Sequence, residues 1–470
     1  MTTRRATLLI VTILCVSSMS RAADPLPSDP KARLAQQGTT VFEPQREIPV
    51  THRADVVVIG AAEGGLGGCT AAIAATRHGA TALLIEKGGT VGLHVPIAMG
   101  VVIGIKGWQP TIREGLFREF AETVARTGQY HHAPVTPEEI LSRGEIIIRR
   151  HEVVSTAMLA MLQKAGVQTI FHAKLVDAVV EDGKLEAVIV ESPQGRHAIA
   201  GKVFIDSTGL GDVAAKAGAP MLREEPFMSV QAFIGGVDEP KYRKWADEDK
   251  QPLDDSYKTW IEKLVGPLAG QKYPWDQWWP EYLGDRMPPA VVRKVREAQE
   301  KGEFTLIHRR GQEGVLAIVE GIKSNTGVAM PRTYITGIDP FNVDDVSWAE
   351  VTSRMALMDF QQFLLKQIPG FENSFMERVA ETVSLRGGRY IEIDKQLTRD
   401  EIDGGAKNAD CIYVFSRGKD HVFEVPYRAL VPKNVDGLLV VGKATAGGRH
   451  LRTAHGVLFQ GQAAGTAAAM

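Results

Sequence analysis

Between Gly60 and Gly65 the chain reads GAAEGG, a run with almost no side chain to hold an anionic ligand away from the backbone. Gly60 ends a β-branched stretch, DVVVIG, and lets the chain turn off it. Gly64 and Gly65 let backbone come close to a pyrophosphate. The Ala-rich CTAAIAATRHG that follows would aim unpaired N–H groups and a positive dipole end at the same phosphates. Glu86 closes the next apolar run, ATALLIE, where its carboxylate can accept hydrogen bonds from both hydroxyls of an adenosine ribose; a free ribose is favoured over a 2′-phosphate. The spacing departs from the usual fingerprint. Glu86 lies about three residues further from Gly60 than expected, and Ala62 holds the central glycine position. The extra residues are expected in the loop or first helical turn, at Gly64 to Gly68.

A βαβ unit must hold these groups, and the pattern supplies one. DVVVIG has the character of a buried parallel strand, the Ala-rich helix ends at Gly79, and the second strand ends at Glu86. Distant segments then choose between the dinucleotides. GKLEAVIVESPQGRHAIAG reads as alternating strands with turns at Asp182-Gly183 and Gln194-Gly195. A further apolar strand, KVFID, delivers Ser207, Thr208 and Gly209. Near the C-terminus a buried strand from Gly437 to Val441 directly precedes Gly442, and HGVLFQGQAAGTAAAM is a small-residue helix starting near Gly456. Its N-terminus could face the pyrimidine edge of a flavin, where negative charge gathers on reduction. A nicotinamide dehydrogenase has no evident need for this closing element, so FAD is expected rather than NAD.

From about Arg53 to Met470 the chain resembles the FAD-dependent oxidoreductases with a glutathione-reductase-like FAD domain, related to the fumarate reductase and succinate dehydrogenase flavoproteins, in a bacterial branch mostly of unassigned substrate. The resemblance lies in the glycine loop, EKGGTVGLHVPIAMG, VFIDSTGLGDVAAKAGAP, QIPGFENSFMERVAETVSLRGGRYIEI, VPYRALVP and the GLLVVGK…GQAAGTAA tail. It implies a Rossmann-like α/β FAD-binding domain with an inserted α+β substrate or cap domain. It further implies that Gly60, Gly65 and Glu86 hold the ADP half and that Lys87, Gly88 and Gly89 turn the chain toward the flavin. Thr208, Gly209 and Asp212 would line a second crossing, Gly442 would approach the pyrophosphate or ribitol, and Gly461, Gln462 and Ala463 would belong to the closing helix. Arg452 aligns with an arginine near the flavin. Arg386 and Arg389 match paired arginines of an internal motif, with Gly387-Gly388 between them in place of polar residues and Tyr390 where another arginine is common.

Oxidation of a C–H bond by a flavin requires a base for the accompanying O–H or N–H proton. Histidine suits that role because it titrates near neutrality. RHLRTAH packs His450, Arg452 and His455 just ahead of the closing helix. The same cluster also reads as a polar turn that caps it. Arg452 could instead stabilise an anionic substrate or the reduced flavin. His94 follows the Gly-rich turn and could sit beside the ring or be bonded to it, and His308 is a remoter candidate. YPWDQWWPEYL could stack on sugar faces, form a lid over the flavin or pack in the core. On that segment alone rests a preference for a sugar-like or hydroxylated substrate within the oxidoreductase reading; the competing class is a carbohydrate-binding or scaffolding protein that merely retains FAD.

A chain of 470 residues, 44% hydrophobic, can bury a large core. A formal net charge of −2 and scattered Lys and Arg offer nothing to nucleic acid. Cys15, Cys69 and Cys411 are too few and too dispersed for zinc or a disulfide framework. Residues 1–22 read as an export signal: Arg4 and Arg5, an apolar run from Ala6 to about Ser17, then Ser20-Arg21-Ala22 as a small-x-small cleavage site. The arginine pair resembles a twin-arginine signal, which would carry a flavoprotein already folded to the periplasm or beyond. Residues 23–50 read as a linker, 51–220 and 370–470 as two parts of the FAD-binding domain, and 221–369 as the cap. The partners expected are a small-molecule substrate and an electron acceptor or donor, without a membrane span in the mature chain.

Overall fold

The computed structural model describes residues 46–61, 66–92, 101–103, 114–126, 146–148, 151–249, 251–257, 259–260, 288–310, 315–320, 324–325, 328–416 and 422–470. Strand β1 (Val50–Ile59) lies in the middle of a seven-stranded sheet. Its residues Val56, Val57 and Val58 are wholly buried, which is why the run is apolar on both faces rather than alternating. Helix α1 (Gly67–Arg77) crosses to β2 (Ala82–Ile85), parallel to β1. Helices α2 (Leu116–Arg126) and α3 (His151–Ala165) precede β3 (Gln168–Ile170), which pairs with the far side of β2. β4 (Lys174–Glu181) and β5 (Lys184–Ser192) form a hairpin that leads into β6 (Gly195–Asp206). The KVFID stretch is therefore not a separate strand. Its predecessor runs straight into it, because the lower half of β6 closes the antiparallel hairpin while the upper half pairs with a strand from the far end of the chain. The short helix α4 (Asp212–Lys216) follows.

A second, antiparallel sheet is built from β7 (Met221–Ser229), β8 (Ile307–Arg310), β9 (Val315–Glu320), β10 (Arg332–Thr336) and β11 (Ser384–Ile391), in the order β8-β9-β10-β7-β11. The 25-residue helix α5 (Val343–Gln367) packs on one face through Ala356, Leu357 and Phe360 against Met228, Val230 and Ile335. Asn342 caps α5 by accepting hydrogen bonds from the N–H groups of Asp344 and Asp345. A smaller sheet that contains Ala232–Gly235 and Phe375–Val379 adjoins this core. Among the described residues no helix is long and apolar enough to cross a membrane.

The chain then returns to the first sheet through the hairpin β12 (Cys411–Ser416) and β13 (Val422–Pro426), strand β14 (Leu438–Val440) and helix α6 (Ala454–Ala469). β14 pairs parallel with the upper half of β6, and the full order is β3-β2-β1-β6-β5-β4 with β14 beside β6. Helices α1, α2, α3 and α6 bury one face of this sheet and α4 with the β12–β13 hairpin buries the other. The architecture is α/β, a Rossmann-like mixed sheet between two layers, joined to an α+β sheet and helix.

Candidate functional site

β1, β2, β6 and β14 all end at one edge of the first sheet, the edge beyond which open parallel sheets take their ligands. Gly60 leaves β1 with φ +93°, a left-handed conformation that side chains resist. A Cβ on Gly60 would lie 2.4 Å from the carbonyl oxygen of Ser207, and one on Gly68 would lie 2.1 Å from that of Gly60. Three backbone segments thus meet without side chains between them. The glycine that allows the helix to pack against the strand is Gly68, where a regular fingerprint would use Gly65. The extra residues lie upstream of Gly68, in the connection from β1 to α1. Ala62, Gly64, Gly65 and His94 lie outside the described residues.

Glu86 is buried at the tip of β2. Its Oε2 accepts a hydrogen bond from the Ala61 N–H at 2.6 Å and its Oε1 one from the Gly88 N–H at 2.9 Å. The carboxylate so fastens the turn after β1 to the end of β2. Lys87 is exposed. Gly89 lies against the His172 ring, and the Gly92 N–H returns to the Ala61 carbonyl at 2.8 Å.

The second crossing is organised by a residue not singled out from the sequence, Asp206. It is fully buried at the end of β6 and accepts from the Thr208 N–H at 3.0 Å, the Thr208 hydroxyl at 2.7 Å and the Ala214 N–H at 3.0 Å. Burial raises its pKa and these donors oppose the rise. Thr208 Oγ1 in turn accepts from the Asp212 N–H at 2.9 Å. Ser207 is wholly buried between Gly60 and Gly68, and its hydroxyl has no partner. That orphaned group at the glycine turn, beside the buried Glu86 carboxylate, fits a bound nucleotide cofactor. Arg389 on β11 joins the arrangement. Its Nη2 donates to Asp212 at 2.7 Å and its Nε to the Leu210 carbonyl at 2.8 Å, so the internal arginine motif meets the second crossing directly.

At the C-terminal return, three residues of α6 make distinct contacts with the rest of the protein. Gly442 has its N–H held by Gln460 Oε1 at 2.7 Å, while Gln460 Nε2 donates to the Tyr413 hydroxyl and the Leu451 carbonyl. Gln462 points the other way and its Oε1 caps α2 by accepting from the Leu116 N–H at 2.8 Å. Gly461 stands at the crossing of α6 with α1, where an added Cβ would lie 2.0 Å from the Gly67 carbonyl oxygen. Gly461 and Gln462 therefore serve helix packing and capping. The side chain by which this helix holds the Gly442 turn is that of Gln460. Two glutamines two positions apart in a helix face nearly opposite ways, and the sequence offers no sign of which one meets β14.

His450 and Arg452 are half-buried on and just after a short 3₁₀ turn, Gly448–Leu451, that abuts β7 at Glu224. Lys443 reaches from the preceding turn, Gly442–Ala444, to donate to the Leu385 carbonyl on β11 at 2.9 Å. His455 differs from its expected role. It is buried in α6 beside the Thr453 hydroxyl at 3.1 Å, and desolvation pushes its pKa down to about 3. An imidazole that resists protonation is a poor proton acceptor. Below pH 6.5 an unfolded chain protonates this histidine while the folded one does not until about pH 3, so stability falls with falling pH across that window. Between pH 7.5 and pH 5 this group is expected to cost about 2 kcal/mol, and urea midpoints should show that loss shrinking in a His455→Gln variant. His308 lies on β8, at the opposite edge of the second sheet from β11, with a buried, unpartnered Nε2.

A mixed sheet whose parallel strand tips carry a glycine turn and a buried acid, completed by a strand from the far end of the chain, has the form of a dinucleotide-binding fold. The family model for FAD dependent oxidoreductases matches residues 55–470, and the chain belongs to that family; its cofactor is FAD. Among solved structures the chain is similar to glycine oxidase from Geobacillus kaustophilus, at 12% identity over 88% of this chain and 93% of that one, with a TM-score of 0.42. It is also similar to a geranylgeranyl bacteriochlorophyll reductase-like protein from Thermoplasma acidophilum, at 14% identity over 89% and 77%, with a TM-score of 0.41. No curated protein matches the sequence significantly.

Proposed function

We propose that this oxidoreductase exchanges a hydride between its FAD and a small organic molecule held between the cofactor fold and the second sheet. The observation that supports this most is the junction at the 442–451 turns. There Lys443 ties the cofactor turn to β11, and His450 and Arg452 stand half-buried beside the joint. Bound FAD supplies the two-electron acceptor or donor. Glu86, Asp206 and Gln460 hold the backbone that would surround it. His450 is the residue proposed to take or return the O–H or N–H proton, and Arg452 to neutralise charge that develops on substrate or ring. The segment behind a sugar-like substrate, with Trp275, Trp278 and Trp279, lies outside the described residues. We also propose export, supported by residues 1–22; N-terminal sequencing of protein from cell fractions should find a chain beginning after Ala22 outside the cytoplasm.

The test is spectroscopic. Purified mature protein should be yellow, and its spectrum before and after acid precipitation separates bound from covalently attached flavin. Photoreduced protein should then be reoxidised by oxygen, quinones or dyes in a stopped-flow instrument. A flavin that cycles with no donor or acceptor would support instead a binding protein that retains FAD as a structural element.

A further inference from the structure

The two faces of the second sheet differ in kind. Met228, Val230 and Ile335 point into the apolar core under α5. The pairings Arg386 with Phe227, Met228 with Ile335 and Gln231 with Arg332 put Phe227, Ser229, Gln231, Arg332, Tyr334 and Arg386 on the opposite face. Arg386 lies over the Phe227 ring at 5.0 Å, and Phe227 stacks on Tyr334 at 4.6 Å. Beside the half-buried Phe227 the polar groups of this face are closed to solvent: Ser229 is 1% exposed, Gln231 and Arg332 4%, and Arg386 7%. The Ser229 hydroxyl and the Gln231 Oε1 are buried with no hydrogen-bond partner. A buried polar atom left unpaired costs stability, and two of them side by side with two guanidinium groups mark a surface shaped for something it binds. The edge strand β11 that carries Arg386 is the strand to which Lys443 fastens the cofactor turn.

We propose that this face is the substrate wall and that it selects a small carboxylate carrying a neighbouring O–H or N–H group. Arg332 and Arg386 supply the planar donors that recognise a carboxylate. Gln231 Oε1 and Ser229 Oγ receive the adjacent hydroxyl or ammonium. The inference rests on the hydride-exchange reading for its position in the enzyme, but binding can be measured without turnover.

FAD-loaded protein would be titrated calorimetrically with lactate and alanine, using lactamide and alaninamide as neutral controls, alongside Arg386→Gln, Arg332→Gln, Ser229→Ala and Gln231→Leu variants. The acids are expected to bind and the amides not. Each arginine change should weaken the acid about a hundredfold and each acceptor change about tenfold. If the arginine variants fail to fold, the acceptor variants still decide the matter. They should raise the thermal midpoint of ligand-free protein while weakening the acid, a pairing that a purely structural role does not produce. Equal binding of acid and amide, no binding of either acid, or acceptor variants that bind as the parent does, would overturn the assignment. Acids that bind through the arginines to a flavin that never cycles would instead defeat the hydride reading and leave this one standing. A flavin reduced only by neutral compounds would do the reverse.

Discussion

Gly461→Ala is expected to destabilise the folded protein by about 3 kcal/mol or more. The added methyl would sit 2.0 Å from the Gly67 carbonyl oxygen and 2.2 Å from Thr70 Oγ1. Neither neighbour can yield easily, because the first is backbone and the second is tied to the Leu458 carbonyl at 3.0 Å. α6 and α1 would have to part by about 1 Å in an interior packed like a crystal. One turn on, Gly465 meets the Ala71 carbonyl oxygen in the same way, also at 2.0 Å, and Gly465→Ala should behave alike. Urea denaturation of both the apoprotein and the FAD-loaded protein distinguishes this from a cofactor contact. A packing defect lowers the midpoint in both forms, whereas a lost contact to FAD would leave the apoprotein as stable as the parent.

Asp206→Ala is expected to cost about 4 kcal/mol, since it takes the acceptor from three donors at once, the buried Ala214 N–H and the part-buried Thr208 N–H and hydroxyl. The consequence should reach the cofactor. Without Asp206 the Thr208 turn loses both of its anchors, and Thr208 is what holds the Asp212 N–H. FAD retained through gel filtration should fall sharply in the alanine variant. Asp206→Asn should recover part of the stability, because an amide oxygen can still accept from the Thr208 N–H and hydroxyl while the Ala214 N–H loses its carboxylate oxygen. Full retention of FAD by the alanine variant, at unchanged stability, would show that the turn is held by other means.

Much of the cofactor fold was legible because its signals are local. An unbroken β-branched run, a glycine turn, a helix of small residues and an acid on the next strand each follow from nearby residue types, and together they indicate a parallel βαβ unit around a dinucleotide. Even the misplaced glycine was visible as a spacing anomaly. Its resolution was not, since whether Gly65 or Gly68 lies against the strand depends on where α1 begins. The same holds for β6. Its residues show a strand on either side of Gly201, but nothing near it announces that hairpin strand and central strand are one.

The site depended more heavily on contacts between remote positions. Asp206 looked like the end of a strand and proves to be the hub of the second crossing. Gln460 and Gln462 are chemically identical, and only the rotation of α6 against β14 and α2 sends one to Gly442 and the other to Leu116. His455 is a histidine in a polar-looking turn by composition, but its surroundings strip it of water and hold it neutral. Arg386 was visible as a motif residue, whereas Arg332, Ser229 and Gln231 had no such signal. Strand pairing over more than a hundred positions brings them onto its face.

By itself, then, the amino-acid order determined the strand-and-helix alternation, the dinucleotide turn and the need for a closing C-terminal element, because periodicity and backbone freedom are properties of neighbouring residues. Tertiary structure alone decided which glycines admit a second helix, which glutamine reaches the Gly442 turn, and which polar groups are shut away from water. Burial and hydrogen-bond partnership belong to pairs of segments and are absent from either one alone.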